Sequence, residues 1–171
     1  RVDFEGRMFG SQKPGGPKIA IFYDNVEVYH QPGDDPDVKV DANKPPKDGF
    51  YLRCNNLNVS TIERDGKSFQ YMVAKNNAFF RTPEFFGNAD VIKYDQSQEM
   101  VIFEAQNENK VKLFKLLGPG VKPQLITGQK ILYNRKTGKF TLDGGMEIRS
   151  RLGDEKGDME GGAVMVADVG W

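Results

Sequence analysis

Few side chains in this sequence could carry catalytic or metal chemistry. Its 171 residues include one histidine, His30, and one cysteine, Cys54. His30 stands close to Asp34, Asp35 and Asp37, and imidazole and carboxylate groups together can bind a metal ion. Their spacing fits no calcium-binding loop, and scattered loop carboxylates are usually solvated. The sequence therefore predicts neither a metal site nor another cofactor.

Cys54 and five carboxylates are the other candidates for catalysis. Cys54 has no histidine or second cysteine beside it, so the pattern favours a buried structural thiol over a nucleophile. Paired carboxylates can hydrolyse glycosides when about 5 or 9 Å separates them. The carboxylates considered for such pairing are Glu84, Asp95, Glu99, Glu104 and Asp143. Carboxylates beside hairpin turns usually lie on the surface, so we predict that the chain is not an enzyme.

Composition and charge exclude several classes of protein. The chain has 24 Lys and Arg against 24 Asp and Glu, mixed along its length, which argues against a nucleic-acid partner. Hydrophobic residues make up 38%, with 12 Phe and 6 Tyr, too many for a disordered chain. No apolar run approaches the ~18 residues of a membrane span. Since the sequence begins at Arg1, we expect an excised or processed fragment, with any targeting segment outside it.

Alternating apolar and polar residues dominate the sequence and predict β-strands. The alternating segments, rich in β-branched and aromatic residues, lie at 18–30, 50–60, 68–80, 109–117 and 145–151. The pair Asp65-Gly66 predicts a tight hairpin turn. The polar loop that ends at Gly138 needs a positive φ at that glycine. Because no stretch shows a convincing helical stripe, the sequence predicts an all-β, antiparallel fold.

One hairpin pattern occurs twice in the chain. Each copy has two apolar residues with one residue between them, then a polar loop, then two further apolar residues with one residue between them. The matching residues are Ile92, Tyr94, Val101 and Phe103 in the first copy, and Ile131, Tyr133, Phe140 and Leu142 in the second. A looser third copy, upstream, joins residues 57–59 to Phe69 and Tyr71. A single hairpin cannot bury its apolar face, so we expect the copies to stack into two sheets folded over one another.

We predict one domain, residues 1–150, in which small polar corners such as Asp24-Asn25 and Asn76-Asn77 turn the chain between the sheets. Residues 31–48 carry four prolines and many charges, which predicts a long exposed loop. Residues 151–171 are rich in glycine and acidic residues, and the apolar run AVMVADV within them is compatible with one late strand.

Four motifs follow one cycle, from a polar corner through an alternating strand and a hairpin to a Val-x-Phe-Glu strand. They are Asp24–Val28, Ala89–Asp95, Met100–Glu104 and Gly128–Tyr133. Together they resemble the OstA-like domain of lipopolysaccharide-transport proteins in Gram-negative envelopes, and are nearest to uncharacterised envelope members. The resemblance spans about residues 19–148. The long loop after His30 departs from the compact family pattern.

The resemblance implies a folded-over, jelly-roll-like β-structure in the periplasm or cell envelope, whose apolar interior can hold acyl chains of lipopolysaccharide or another lipid. The inward residues that would line this groove are Ile21, Val26, Val28, Leu57, Val59, Ile92, Tyr94, Val101, Phe103, Ile131, Tyr133, Phe140 and Leu142. The same alternation fits a closed, dry core, since most alternating apolar residues are packing residues. The candidates to meet head-group phosphates at the rim, each of which also fits a solvated face, are Lys93, Lys110, Lys112 and Lys130.

The segment at 79–90 places four aromatic residues around Pro83. Alternation cannot bury all four on one side, and proline in a sheet is confined to edges or bulges. One interpretation is a partner patch at a sheet edge that includes Phe80 and Phe86; the other is a strand, a proline break and a second strand.

Two other functions stay open. One is self-association or assembly with other β-proteins through sheet edges, without a small ligand, and the other is a carbohydrate-binding β-sandwich.

Overall fold

The chain is all-β and antiparallel, which confirms the predicted fold class. The computed structural model describes residues 1–33, 41–142 and 147–149, and these contain twelve strands and no helix. The strands are β1 (Val2–Asp3), β2 (Met8–Gln12), β3 (Lys18–His30), β4 (Phe50–Arg64), β5 (Lys67–Arg81), β6 (Phe85–Asp95), β7 (Met100–Glu104), β8 (Val111–Lys115), β9 (Gln124–Gly128), β10 (Lys130–Asn134), β11 (Lys139–Leu142) and β12 (Glu147–Arg149). Across the described residues, therefore, no helix is long and apolar enough to cross a membrane.

The three longest strands each bend once, at aligned positions. Their register shifts at residues 24–25 of β3, 54–55 of β4 and 76–77 of β5. Asp24, Asn25, Asn76 and Asn77 have φ between 47° and 65°. Asparagine and aspartate tolerate this left-handed backbone better than most residues do. We call this row of bends, together with residues 89–90 of β6, the fold line.

The fold line divides the sheet into two leaves. Beyond it, β6 pairs with β7 through residues 91–95, whereas before it β6 pairs with β8 through residues 85–88. Leaf 1 contains β2, the halves of β3 to β6 at residues 18–23, 56–64, 67–75 and 91–95, and β7, β10, β11 and β12. Leaf 2 contains β1, the other halves, and β8 and β9. At Gly87 a Cβ atom would meet the Lys112 carbonyl oxygen, so glycine lets β8 approach β6 closely.

Aromatic rings join the two leaves across the interior. Phe85 of leaf 2 packs edge-to-face on Tyr133 and Phe140 of leaf 1, with ring centroids 4.7 and 4.9 Å away. Phe50 of leaf 2 packs on Tyr94 of leaf 1 at 5.5 Å. The strands involved are not neighbours in the sheet, so these contacts show that the two inner faces pack against each other, as the stacked hairpins predict.

The predicted turns are confirmed. Asp65 and Gly66 connect β4 to β5 with φ of 53° and 71°. Gly138, between β10 and β11, has a φ of 66°. The corresponding turn between β6 and β7 has no glycine, and Glu99 takes the left-handed conformation there with a φ of 52°.

The third copy of the hairpin pattern matches the other two only in its first strand. Val59 pairs with Met72, which is 6% exposed, whereas Phe69 and Tyr71 point to the opposite face of β5. Pairing with β4 decides which face of β5 is buried, and β5 carries apolar residues on both faces. Sequence alternation alone does not distinguish them.

Several predictions concern the ends and loops of the chain. The strand predicted at 145–151 is confirmed as β12, whereas β1, β2 and β9 were not predicted. The late strand considered for AVMVADV lies outside the described residues. In the loop at 31–48, residues 34–40 lie outside the described residues, and Pro45 is buried rather than exposed. The tail at 151–171 and the carboxylates of Asp34, Asp35, Asp37 and Asp143 also lie outside them.

Candidate functional site

Twelve of the thirteen residues predicted to line the interior lie on the inner faces of the leaves. The prediction is wrong for Ile21, which pairs with Asn58 on the face opposite to Ala20 and Phe22. Ten of the twelve are at most 5% exposed, and Val59 and Leu142 are partly buried against the same core. This is the orientation that alternation predicts. A role of these side chains in ligand binding stays a prediction.

The middle of the interior is filled with aromatic side chains. Phe85, Phe103 and Phe140 have no exposed surface, and Phe80 packs on Phe85 and Phe103 at 5.8 and 5.6 Å between ring centroids. Interiors packed in this way leave few voids larger than a water molecule. In its middle, the folded sheet is therefore a core rather than an open groove.

The interior opens beside β1 and β3. A cavity of about 210 Å³ lies there between the leaves, which we call the end cleft. Its apolar lining residues are Val2, Ala20, Phe22, Val28, Phe50, Val59, Met72 and Tyr94. Its polar lining residues are Arg1, Tyr29, His30, Gln70 and Gln96. Three of the predicted lining residues, Val28, Val59 and Tyr94, reach this opening.

The end cleft is apolar, accessible and small. Val2, Phe22 and Val59 are only partly buried, so their side chains can contact a bound molecule. Pockets for whole small-molecule ligands usually measure about 300–1,000 Å³, which exceeds this volume. The cleft therefore suits the end of an apolar chain whose remainder lies outside the protein. Arg1, at the rim, already binds the Asp3 carboxylate at 2.6 Å.

A second contact region lies at the mouth between the leaves, opposite the fold line. Arg135, in the turn after β10 of leaf 1, donates hydrogen bonds to the Tyr94 hydroxyl at 2.9 Å and to the carbonyl oxygen of Asp48, which precedes β4 of leaf 2, at 2.5 Å. It also pairs with Glu99 at 3.1 Å, and its guanidinium lies 5.3 Å from the centroid of the Phe50 ring. Arg135 therefore holds the tips of the two leaves together.

His30 lies between the end cleft and this mouth. Its ring stacks on Phe50 with centroids 4.8 Å apart. Burial, and then the positive charge of Arg135, lowers the pKa of His30 to about 4. The imidazole is therefore neutral at pH 7 and acts as an apolar ring. Among residues 1–33, 41–142 and 147–149, no three His, Cys, Asp or Glu side chains form a group that could hold a metal ion.

Cys54 lies at the bend of β4 and is 1% exposed. Burial raises the pKa of its thiol to about 12, with hydrogen bonds from the backbone of Lys75 and Asn56 opposing the shift only in part. A thiol with that pKa is protonated at neutral pH and is a poor nucleophile. This environment agrees with a structural thiol.

The carboxylates considered for glycosidase chemistry make local structural contacts. Glu84 accepts a hydrogen bond from the Tyr133 hydroxyl at 3.2 Å, which also links the two leaves. Asp95 accepts hydrogen bonds from the Ser97 amide and hydroxyl at 2.9 and 2.6 Å and so stabilises the β6–β7 turn. Glu84 and Glu99 also line one cavity of about 400 Å³ at the mouth between the leaves, whereas Asp95 does not line it.

The lysines proposed for a lipid rim lie away from the end cleft. Lys93 and Lys130 pair with Glu104 at 2.6 and 3.5 Å, in the middle of leaf 1. Lys110 and Lys112 lie at the fold line. None of these lysines lines the end cleft. These positions agree with the solvated face that was the alternative for each lysine, and a role at a lipid rim stays a prediction.

The predicted partner patch is divided between the two faces of leaf 2. Phe80 is 1% exposed and stacks on Phe50 at 5.1 Å, so it belongs to the core and cannot contribute to a surface patch. Phe86 faces outward and stacks on Phe114 at 5.3 Å. The two strands join through a turn in which the Thr82 amide donates to the Phe85 carbonyl oxygen at 2.8 Å. The interpretation as a strand, a proline break and a second strand is correct.

Several lining residues of the end cleft were not predicted. Ala20 and Phe22 lie on β3, where apolar residues occupy successive positions, and Met72 lies on β5, which shows the same ambiguity. Pairing in the sheet, rather than periodicity, places them inward.

The comparisons with known proteins bring no assignment. No protein-family model matches this sequence, and no curated protein matches it significantly. The OstA-like resemblance stays a prediction that depends on the quoted motifs.

Proposed function

We propose that this chain is a non-enzymatic, OstA-like module of the periplasm or cell envelope that takes the end of a lipid acyl chain into the end cleft. The observation that supports this proposal is the opening of the apolar interior at one end, between two apolar leaf edges. An acyl chain of lipopolysaccharide is the ligand that the family resemblance suggests. The head group would stay outside the protein.

The physical basis of binding is the transfer of methylene groups from water to the cleft. Each buried methylene contributes about 0.8 kcal/mol. Because the cleft holds only part of a chain, we expect weak binding that can be reversed during lipid transfer. Burial against Val28 and Val59 would supply most of the binding free energy.

Native mass spectrometry of the protein with added myristate tests the proposal. We expect a one-to-one complex for the wild type. Val59→Phe should reduce the complex at least about tenfold, equivalent to about 1.4 kcal/mol, because the larger ring fills the cleft. Asn58→Phe is the matched control, since Asn58 lies next to Val59 on β4 but faces the opposite side.

Either of two results would contradict the proposal. One is a wild-type protein that forms no complex with myristate or with purified lipopolysaccharide. The other is equal loss of binding in Val59→Phe and Asn58→Phe, which would place the lipid on an outer surface rather than between the leaves.

A second candidate function is assembly through a sheet edge, and β2 favours it. β2 pairs only with β3 among the described strands, and all five of its residues are exposed. Met8 and Phe9 are each 55% exposed. An unpaired edge with apolar side chains is a template for strand addition. If β2 mediates association, Phe9→Lys should lower the sedimentation-derived mass, and Val121→Lys, a matched exposed site outside any strand, should not.

A further inference from the structure

The outer side of the fold line carries a polar furrow that the lipid proposal does not use. Its volume is about 690 Å³. Most of its lining side chains are amides or cations; the ones that matter here are Asn25, Arg53, Asn55, Asn77, Asn88 and Lys112. The furrow lies on the face opposite the buried core, so it is separate from the end cleft.

Backbone geometry explains why asparagine occupies only some of these positions. Asn25 and Asn77 have φ of 47° and 57°, which asparagine tolerates. Asn55 and Asn88 have no positive φ and lie within β4 and β6, where asparagine is disfavoured. Asn88 sits in a regularly paired stretch, opposite Lys112. Within the described part of the chain, neither the Asn55 nor the Asn88 side chain has a hydrogen-bond partner. Two amides are therefore available to a ligand.

The charges of the furrow are unbalanced. Arg53, Lys110 and Lys112 are exposed, and none of them forms an ion pair with a described residue. Asp90 is the one carboxylate among the described lining residues, and it accepts hydrogen bonds from the amide of Gln106 at 2.6 Å and from the Asn109 side chain. Three cations against one carboxylate give the lining a net positive charge, which favours an anionic ligand.

The sheet register places the key groups in one row. Arg53 pairs with Phe79, Phe79 with Asn88, and Asn88 with Lys112, across the neighbouring strands β4, β5, β6 and β8. Neighbouring strands lie about 4.8 Å apart, so the row spans about 14 Å. The Arg53 guanidinium lies 5.8 Å from the centroid of the Phe79 ring, which orients it along the row. A ligand that bridges the row must be extended.

We propose that this furrow binds an acidic oligosaccharide, with carboxylate or phosphate groups on its sugars. Amides donate to and accept from sugar hydroxyls, while Arg53 and Lys112 at the two ends of the row would meet the anionic groups. Single-stranded nucleic acid fits less well. The exposed base-stacking ring that such sites need is missing among the furrow's described lining residues, and Phe79 is covered by Arg53 and Arg81.

Isothermal titration with tetragalacturonate and with phosphorylated pentamannose tests the proposal. We expect saturable binding of at least one, weakened by added salt, and no binding of neutral cellotetraose. The double variant Arg53→Gln/Lys112→Gln should weaken binding at least tenfold. Lys67→Gln, a matched exposed lysine in the β4–β5 hairpin away from the furrow, should bind within twofold of the wild type.

A second variant separates binding from structure. Asn55→Ala/Asn88→Ala should weaken oligosaccharide binding severalfold while leaving the urea midpoint unchanged, because these amides make no internal hydrogen bond. Val59→Phe should not affect oligosaccharide binding, so failure here and failure of the lipid proposal are distinguishable. Four outcomes would overturn the inference: no binding of either acidic probe, equal binding of cellotetraose, equal weakening in Lys67→Gln, or tighter binding of single-stranded oligothymidylate.

Discussion

Tyr94 and Tyr133 occupy equivalent positions in two hairpins that lie side by side in leaf 1 and pair through β7 and β10. Each ring is 5% exposed, and each pairs with the residue seven positions later, Val101 or Phe140. Val101 also pairs with Tyr133, because β7 and β10 are neighbours. The sequence repeat thus produces continuous rows of inward side chains.

The two hydroxyl groups have different partners, and both lie near the mouth. The Tyr94 hydroxyl accepts a hydrogen bond from Arg135, and the Tyr133 hydroxyl donates to Glu84 of leaf 2. The apolar part of the repeat builds the core, while its polar ends connect the leaves. This combination closes the middle of the fold, and the end cleft gives access to the interior beside β1 and β3.

Removing the ring that joins the leaves should destabilise the protein strongly. Phe85 has no exposed surface and packs on Tyr133 and Phe140 of the opposite leaf. We expect Phe85→Ala to cost about 3–5 kcal/mol of unfolding free energy, measured by urea denaturation. Phe86→Ala, the outward-facing neighbour, should cost less than half as much. Equal costs would argue that the leaves do not pack face to face.

Arg135 should contribute to stability through its contacts across the mouth. Its side chain is 12% exposed and bonds to Tyr94, Glu99 and Asp48. Hydrogen bonds that involve a charged group contribute about 1.5–3 kcal/mol, so Arg135→Ala should lower the unfolding free energy by about that amount. Lys136→Ala, at the exposed neighbouring position, serves as the control. A smaller loss of unfolding free energy in Arg135→Ala than in Lys136→Ala would contradict the role of Arg135 in holding the leaves together.

His30 should make the protein less stable as the pH falls. The unfolded chain binds a proton at His30 near pH 6.5, whereas in the folded chain its pKa is lowered to about 4. Between these values the unfolded state binds more protons, so stability is present above pH 6.5 and is lost as the pH falls toward 4. Urea midpoints from pH 7 to 4 should fall more steeply for the wild type than for His30→Gln. Parallel curves would show that His30 is not buried as a neutral ring.

Cys54 should resist thiol reagents in the folded protein. It is 1% exposed, and burial raises its pKa to about 12. We expect a chromogenic aryl disulfide to modify Cys54 at least about a hundredfold more slowly in buffer at pH 8 than in concentrated urea, since the reaction needs an accessible thiolate. Comparable rates in the two conditions would contradict the packing of the β4 bend.

The sequence contains enough information for the fold class and for the stacked hairpins. Period-two alternation around Tyr94 and Tyr133, with turns of fixed length, predicts the strands of both hairpins and their pairing. The structure has these strands with this pairing. The repeat does not predict the inward face of β5, where apolar residues lie on both faces and only pairing with β4 turns Met72 inward. Edge strand β2 was missed because all of its residues are exposed and it has no buried face to create a pattern.

The candidate site was predicted only in part. Alternation identifies Val28 and Val59 as inward, but it does not show where an interior is filled and where it is open. That depends on ring contacts between leaves, such as Phe85 on Phe140, which join residues far apart in the sequence. The same limit explains Phe80, whose place in the core follows from the turn at Thr82 rather than from its aromatic neighbours.

The most direct test of the central claim is an NMR measurement of contacts between bound lipid and protein. With isotope-labelled protein and unlabelled myristate, we predict nuclear Overhauser effects from the terminal methyl group of the lipid to the methyl groups of Val28 and Val59, inside the end cleft. Contacts only to exposed side chains such as Met8, or no intermolecular contacts at saturating lipid, would contradict the claim that an acyl chain enters between the leaves.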